Sequence, residues 1–265
     1  MTLMRRMMNS VLHGLTGLLC RLDVAQLERI PECGPLILVA NHVNFLEIPV
    51  LYTRLSSRPV VVFTKVETFD SPLMRTLFDL SKAIPVKRGE ADAGALRRAA
   101  EALETGHILA VAPEGTRSGD GRLQRGHPGV VMLAMRTGVP LLPIAYYGGE
   151  AFWHNLPRLK RTHFHVAVGN PFYLDADGKV SRDVRQQMTD EIMWQIAALL
   201  PPAYRGYYAN LQAATETNLR SCAVTVQLVD MAHNFNHRPA CGELRLQFDL
   251  LVHSDSPQRK GKTTR

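Results

Sequence analysis

A histidine with a carboxylate five residues on, His42 and Glu47 in Asn41-His42-Val43-Asn44-Phe45-Leu46-Glu47, is a pairing able to do acid–base chemistry. A neutral imidazole near pH 7 accepts a proton, and a carboxylate one turn away fixes its tautomer and stabilises the imidazolium that forms. Taken alone, such a pair is more often a structural histidine with its hydrogen bonds satisfied. Three more stretches keep it company. Ala83-Ile84-Pro85-Val86-Lys87-Arg88 sets two cations side by side. Ala112-Pro113-Glu114-Gly115-Thr116-Arg117-Ser118 combines a Pro/Gly turn, expected to free backbone N–H groups for an anion, with a guanidinium whose planar fork suits phosphate. Val139-Pro140-Leu141-Leu142-Pro143-Ile144 has no reactive side chain; its prolines predict an edge or irregular strand beside a groove, or simply core. Each stretch by itself reads as an ordinary turn or strand.

The elements that must position these residues alternate along the chain. Short apolar runs at Leu36–Ala40, Val60–Phe63, Ile84–Val86, Ile108–Val111, Leu141–Tyr146 and His163–Val168 read as buried strands. Between them, Asp92–Thr105 and Pro128–Arg136 read as helices, stopped by Gly106 and Gly138. Ser181–Leu200 reads as a further amphipathic helix, ended by Pro201 and Pro202. This alternation predicts an α/β fold with a mainly parallel or mixed central sheet covered by helices. In such sheets ligands bind at the carboxyl ends of strands, where the chemical stretches fall.

Residues 1–22 read as an amphipathic helix with Arg5, Arg6 and Arg21 as its only charged side chains. It suits either the headgroup plane of an anionic membrane or the domain's own core. The organisation expected is a membrane-associating region over 1–31, a domain over 32–210 and an appendage over 211–265, where Val224–Val229 and Leu244–Val252 have strand-like alternation. With 265 residues, 46% hydrophobic, the chain can bury a large core, which excludes wholesale disorder. A net charge of +7 points to anionic partners without choosing among them. The cysteines Cys20, Cys33, Cys222 and Cys241 form no dense framework. Cys222, His233, His237 and Cys241 make a weak zinc set, since they lack a CxxC pair. No run of eighteen apolar residues predicts a transmembrane helix, and no small-x-small cleavage site follows the N-terminal stretch.

In order and combination, the four stretches resemble the glycerolipid acyltransferase family, typified by the 1-acylglycerol-3-phosphate acyltransferases. The resemblance spans roughly residues 36–150, weakening to about 205, and Glu114-Gly115-Thr116-Arg117-Ser118 is its most specific part. Lys65, Glu67 and Pro72 resemble the family's K-x-E…P stretch, and Leu123-Gln124-Arg125-Gly126 its basic-Gly segment. Two positions depart: Glu47 stands for the family's aspartate, and Ala83 for the glycine that opens the second block. The resemblance implies direct transfer of an acyl group from acyl-CoA or acyl carrier protein to a lysophospholipid hydroxyl at the cytoplasmic face of a membrane. His42 is then the base and Glu47 its orienting group. Lys87, Arg88, Arg117 and Arg125 grip the acceptor phosphate, with Glu114, Gly115 and Thr116 on the substrate. Gly115 and its neighbours' amides face the oxyanion. No metal or bound cofactor is implied, and no Ser or Cys stands in a nucleophile elbow.

Three other readings stay open. The acceptor is another lysolipid or glycerol 3-phosphate. Alternatively, the chain is a catalytically impaired membrane-binding homologue, as Glu47 would allow. Or the basic, aromatic stretch His154–His165, with Trp153, Arg158, Lys160 and Arg161, binds nucleic acid, although no recognition motif accompanies it.

Overall fold

The structure is a computed structural model, which describes residues 3–55, 58–70, 82–86, 92–175 and 180–222. The N-terminal helix α1 spans Leu3–Leu19, not 1–22, and Cys20–Asp23 is a strand, β1. The switch has a physical cause. Cys20–Asp23 pairs in parallel with Thr162–Val168, and that ladder satisfies backbone groups that a longer helix would have kept for itself. The rest of the order is β2 (Leu36–Ala40), α2 (Glu47–Arg54), β3 (Val60–Lys65), β4 (Ile84–Val86), α3 (Ala93–Glu104), β5 (Ile108–Val111) and α4 (Gly129–Thr137). It continues with β6 (Leu141–Tyr147), the short α5 (Phe152–Asn155), β7 (Thr162–Val168), β8 (Phe172–Leu174), α6 (Arg182–Leu199) and β9 (Leu219–Ser221).

Local signals explain the helices well. The Asp92 carboxylate accepts the Ala95 N–H at 2.8 Å and caps α3, while Ser181 caps α6. Gly138 ends α4 in the left-handed region, with φ +62.

The strands form one sheet in the order β1-β7-β6-β2-β5-β3-β4, with β8 on β6 and β9 on β8. β6, β2, β5, β3 and β4 run parallel, whereas β7 is antiparallel to β6. Alternation divides the sheet's side chains between two cores. Ile37, Val39, Leu109 and Leu141 pack with α3, α4 and α6 on one face. Leu36, Leu38, Ile108, Leu142 and Ile144 pack with Val50 and Leu51 of α2 on the other.

β6 corrects the expectation of an edge strand, because it lies between β2 and β7. Pro143 is tolerated there for a specific reason. Its carbonyl accepts the Gly169 N–H at 2.9 Å, just past the end of β7, and β8 joins β6 at Leu141. The missing proline N–H therefore falls where the β6–β7 ladder ends and before β8 joins, so it forgoes a terminal ladder bond and not one in mid-run.

The expected appendage is also partly redrawn. Residues 215–218 are held by Glu191, a buried carboxylate of α6. It accepts the Thr215 hydroxyl at 2.9 Å and the backbone N–H groups of Thr217 and Asn218 at 3.2 and 3.0 Å. β9 follows as part of the sheet. Val224–Val229, Leu244–Val252 and most of the weak zinc set lie outside the described residues.

Candidate active site

Three parallel strands end side by side, and the loops that leave them meet. β2 runs into Asn41-His42. The Asn41 amide group donates to the Tyr146 carbonyl and accepts the Tyr146 N–H, both at 2.8 Å, so it extends the β2–β6 pairing by one side chain. His42 is thereby fixed at the carboxyl end of the sheet. Its Nδ1 lies 3.0 Å from Glu47 Oε2, with the imidazole about one-fifth exposed and the carboxylate buried.

Glu47 is the first residue of α2, and its other oxygen accepts the N–H groups of Val43 and Asn44 at 3.2 and 2.8 Å. One carboxylate thus closes the turn and orients the ring, a geometry the extra methylene of glutamate accommodates. Asn44 completes the turn: its Oδ1 accepts the Leu46 N–H at 2.8 Å and its amide donates to the Gly149 carbonyl beyond β6.

β5 leads into Pro113-Glu114-Gly115, a tight turn closed by the Gly115 N–H on the Ala112 carbonyl at 3.0 Å. Gly115 sits at φ +68, where an L side chain would be strained. Two expectations change here. The Gly115 amide is engaged in its own turn and does not face an oxyanion. Glu114 does not line the substrate surface: only 2% of it is exposed, and its oxygens accept the backbone N–H groups of His42 at 2.8 Å and Gln124 at 2.7 Å. The reason is steric and electrostatic together. The Pro–Glu–Gly turn points the carboxylate inward, where two converging amides replace its lost water. Burial, the dominant effect, pushes its pKa up from 4.5 to about 7, against the pull of both amides.

Glu114 is therefore a bolt that joins the His42 loop, its own turn and the segment carrying Arg125. The Ser118 N–H on the His42 carbonyl at 2.8 Å fastens the same loops a second time, next to exposed Arg117. The His127 N–H on the Pro113 carbonyl, at 2.9 Å, draws in the far end of the Leu123–Gly126 segment. Thr116, Arg117 and Arg125 are exposed on these loops. Lys87, Arg88 and Pro72 lie outside the described residues, while Lys65 ends β3, exposed.

Sequence reasoning missed the roles of Asn41, Asn44, Gln124 and Tyr208, whose hydroxyl accepts the Gly126 N–H at 3.0 Å. All four act through partners far along the chain or through a backbone amide, and no local pattern reports either.

Comparison with known proteins finds relatives for part of this chain. Residues 21–147 match the family model described as Acyltransferase. A chloroplastic 1-acyl-sn-glycerol-3-phosphate acyltransferase of Brassica napus is 35% identical over 130 residues, 48% of this chain and 37% of the relative. A lyso-ornithine lipid O-acyltransferase of Pseudomonas aeruginosa is 31% identical over 112 residues, 42% of each. The chain thus spans about two fifths of the length of these curated relatives. The crystal structure of the 1-acyl-sn-glycerophosphate acyltransferase PlsC from Thermotoga maritima shares the fold, with a TM-score of 0.51 at 24% identity over 71% of this chain and 78% of that one. That likeness defines the fold class, an α/β protein with a mostly parallel central sheet flanked by helices. Residues 21–147 carry the likeness to that acyltransferase family, and several of the similar proteins are 1-acyl-sn-glycerol-3-phosphate acyltransferases.

Proposed function

We propose that this protein transfers a fatty acyl group from acyl-CoA or acyl carrier protein to the free hydroxyl of a lysophospholipid, 1-acylglycerol 3-phosphate above all, to give phosphatidic acid. The observation that carries this reading is the His42 Nδ1–Glu47 Oε2 contact at 3.0 Å, on a turn whose backbone the same carboxylate anchors. With Nδ1 occupied as a donor, Nε2 is the free base. It takes the acceptor's hydroxyl proton as the oxygen attacks the thioester carbonyl. The tetrahedral intermediate then expels the thiolate, which recovers that proton from the imidazolium, leaving a new ester and a free thiol. Arg117 and Arg125, with Lys87 and Arg88, bind the acceptor phosphate and hold its hydroxyl near the ring. No metal or bound cofactor takes part. Docking at the cytoplasmic face of a membrane, through α1 and cations on an anionic surface, supplies the lipid acceptor.

The lyso-ornithine relative favours a second reading in which the acceptor is another lysolipid. Offering purified protein a panel of lysophosphatidic acid, lyso-ornithine lipid and glycerol 3-phosphate, with each donor, separates the two by product mass. On the preferred acceptor, His42→Ala should lower kcat by at least about a thousandfold while the protein stays folded. Glu47→Asp should stay active and Glu47→Ala should be poor. Near wild-type turnover in His42→Ala removes the base from this mechanism.

A further inference from the structure

Between α5 and β7 the chain makes a short projection that the proposed chemistry does not use. Its tip is Leu159, which is 95% exposed and sits at φ 52 in the left-handed region. A leucine there is strained and leaves its whole side chain in water, so the fold itself gains nothing from it. The tip is nonetheless built rigidly. The Leu159 N–H donates to the Leu156 carbonyl and the Lys160 N–H to the Asn155 carbonyl, both at 3.1 Å, while Arg158 grips the His154 carbonyl at 2.7 Å. Exposed cations flank it on both sides, Arg158 and Lys160.

At its base stands Trp153, 65% exposed, with its ring 5.4 Å from that of Phe45, in the turn between His42 and Glu47. Its root is tied to the N-terminal helix: the Arg161 guanidinium donates to the Gly17 and Cys20 carbonyls, both at 2.6 Å. Next to that junction begins the exposed apolar stripe of α1, Leu18, Leu15, Val11 and Met7.

We propose that residues 152–161 are a membrane-inserting finger which, with α1, docks the chain on an anionic phospholipid bilayer beside His42. Leu159 enters the acyl region, Trp153 sits at the headgroup level, and Arg158 and Lys160 meet lipid phosphates. Apolar tip, interfacial aromatic, flanking cations and a tie to an exposed apolar helix fit a bilayer better than an acidic protein partner, which the cations alone would serve. This deepens the proposed function, resting on its reading of the acceptor as a lipid taken from a membrane.

The test uses the full chain with Trp194→Phe, so that Trp153 is the one remaining tryptophan of the two. Vesicles of phosphatidylcholine and phosphatidylglycerol should shift its emission to the blue, and lipids brominated along the acyl chain should quench it. Leu159→Asp should weaken partitioning roughly tenfold and leave turnover of detergent-dispersed lysolipid within about twofold of wild type. Absence of the shift and quenching, or unchanged partitioning of Leu159→Asp, overturns the finger. A Leu159→Asp effect confined to the rate with carrier-protein donor also overturns it, in favour of a protein contact. Binding is measured without turnover, so an inactive protein whose Trp153 is quenched defeats the acyltransferase reading and keeps the finger. An active protein with no quenching does the reverse.

Discussion

Glu114 holds three loops together through two backbone amides, and the price is a carboxyl group that titrates near neutrality. Its folded pKa of about 7 lies above the 4.5 of an ordinary glutamate, so between those values the folded chain binds more protons than the unfolded one. Stability should therefore fall as pH rises from about 4.5 to about 7, by on the order of 3 kcal/mol from this group alone, and level off above that range. Urea unfolding of wild type and Glu114→Gln at several pH values checks this: the variant should show a shallower decline across the window. It should also lose about 1–3 kcal/mol at low pH, where its amide NH2 meets one of the two donors. Equal slopes in both proteins would mean that Glu114 does not titrate there. His42 and Glu47 work on the same principle of converging partners, with the carboxylate shared between ring and backbone.

At the scale of elements, the loop that bears Gln124 and Arg125 is held from behind by a strap, residues 202–208, beyond the matched family domain. The Leu123 N–H donates to the Tyr204 carbonyl at 3.0 Å, and the Tyr207 N–H to the Leu123 carbonyl at 2.9 Å. The Tyr208 hydroxyl accepts the Gly126 N–H at 3.0 Å and donates to Asp190 of α6 at 2.7 Å. A strap 82 residues further along the chain, backed by α6, thus fixes the backbone on which Arg125 stands. Tyr208→Phe leaves the buried Gly126 N–H unpaired and should destabilise the fold by about 1–3 kcal/mol. In steady-state kinetics it should raise the acceptor KM more than it lowers kcat, because in the proposed mechanism the loop it loosens binds the acceptor rather than reacts. A pure kcat loss would place the strap in the chemistry instead.

For the whole molecule, the sheet separates two tasks. One face is sealed by α3, α4 and α6; the other carries α2 under α1, whose outer stripe stays apolar and exposed. No helix among the described residues is long and apolar enough to cross a membrane. With a net charge of +7, association with anionic vesicles should have a screened, long-range part. Co-sedimentation should weaken by roughly tenfold between about 0.05 and 0.5 M NaCl on anionic vesicles and change little on zwitterionic ones. Salt-independent binding to both would leave the apolar stripe as the sole attraction.

What the sequence alone determined was whatever short-range pattern encodes. The short apolar runs marked β2 to β7, the helical stretches beginning at Asp92 and Ser181 and the stop at Gly138 outlined three helices, and the family-like blocks picked out His42, Glu47 and the Glu114–Ser118 turn. Tertiary structure alone decided that Cys20–Asp23 leaves the helix for β7, that Pro143 sits mid-sheet opposite a break, and that Glu114 turns inward to amides. It also decided that Asn41 spans to Tyr146 and that Glu191 draws in residues 215–218. The difference is one of range. Apolar runs and helix stops act over a few residues, whereas the burial and pairing of a polar group depend on partners beyond its own element, as far as 105 residues away for Asn41, about which its neighbours in sequence carry no information.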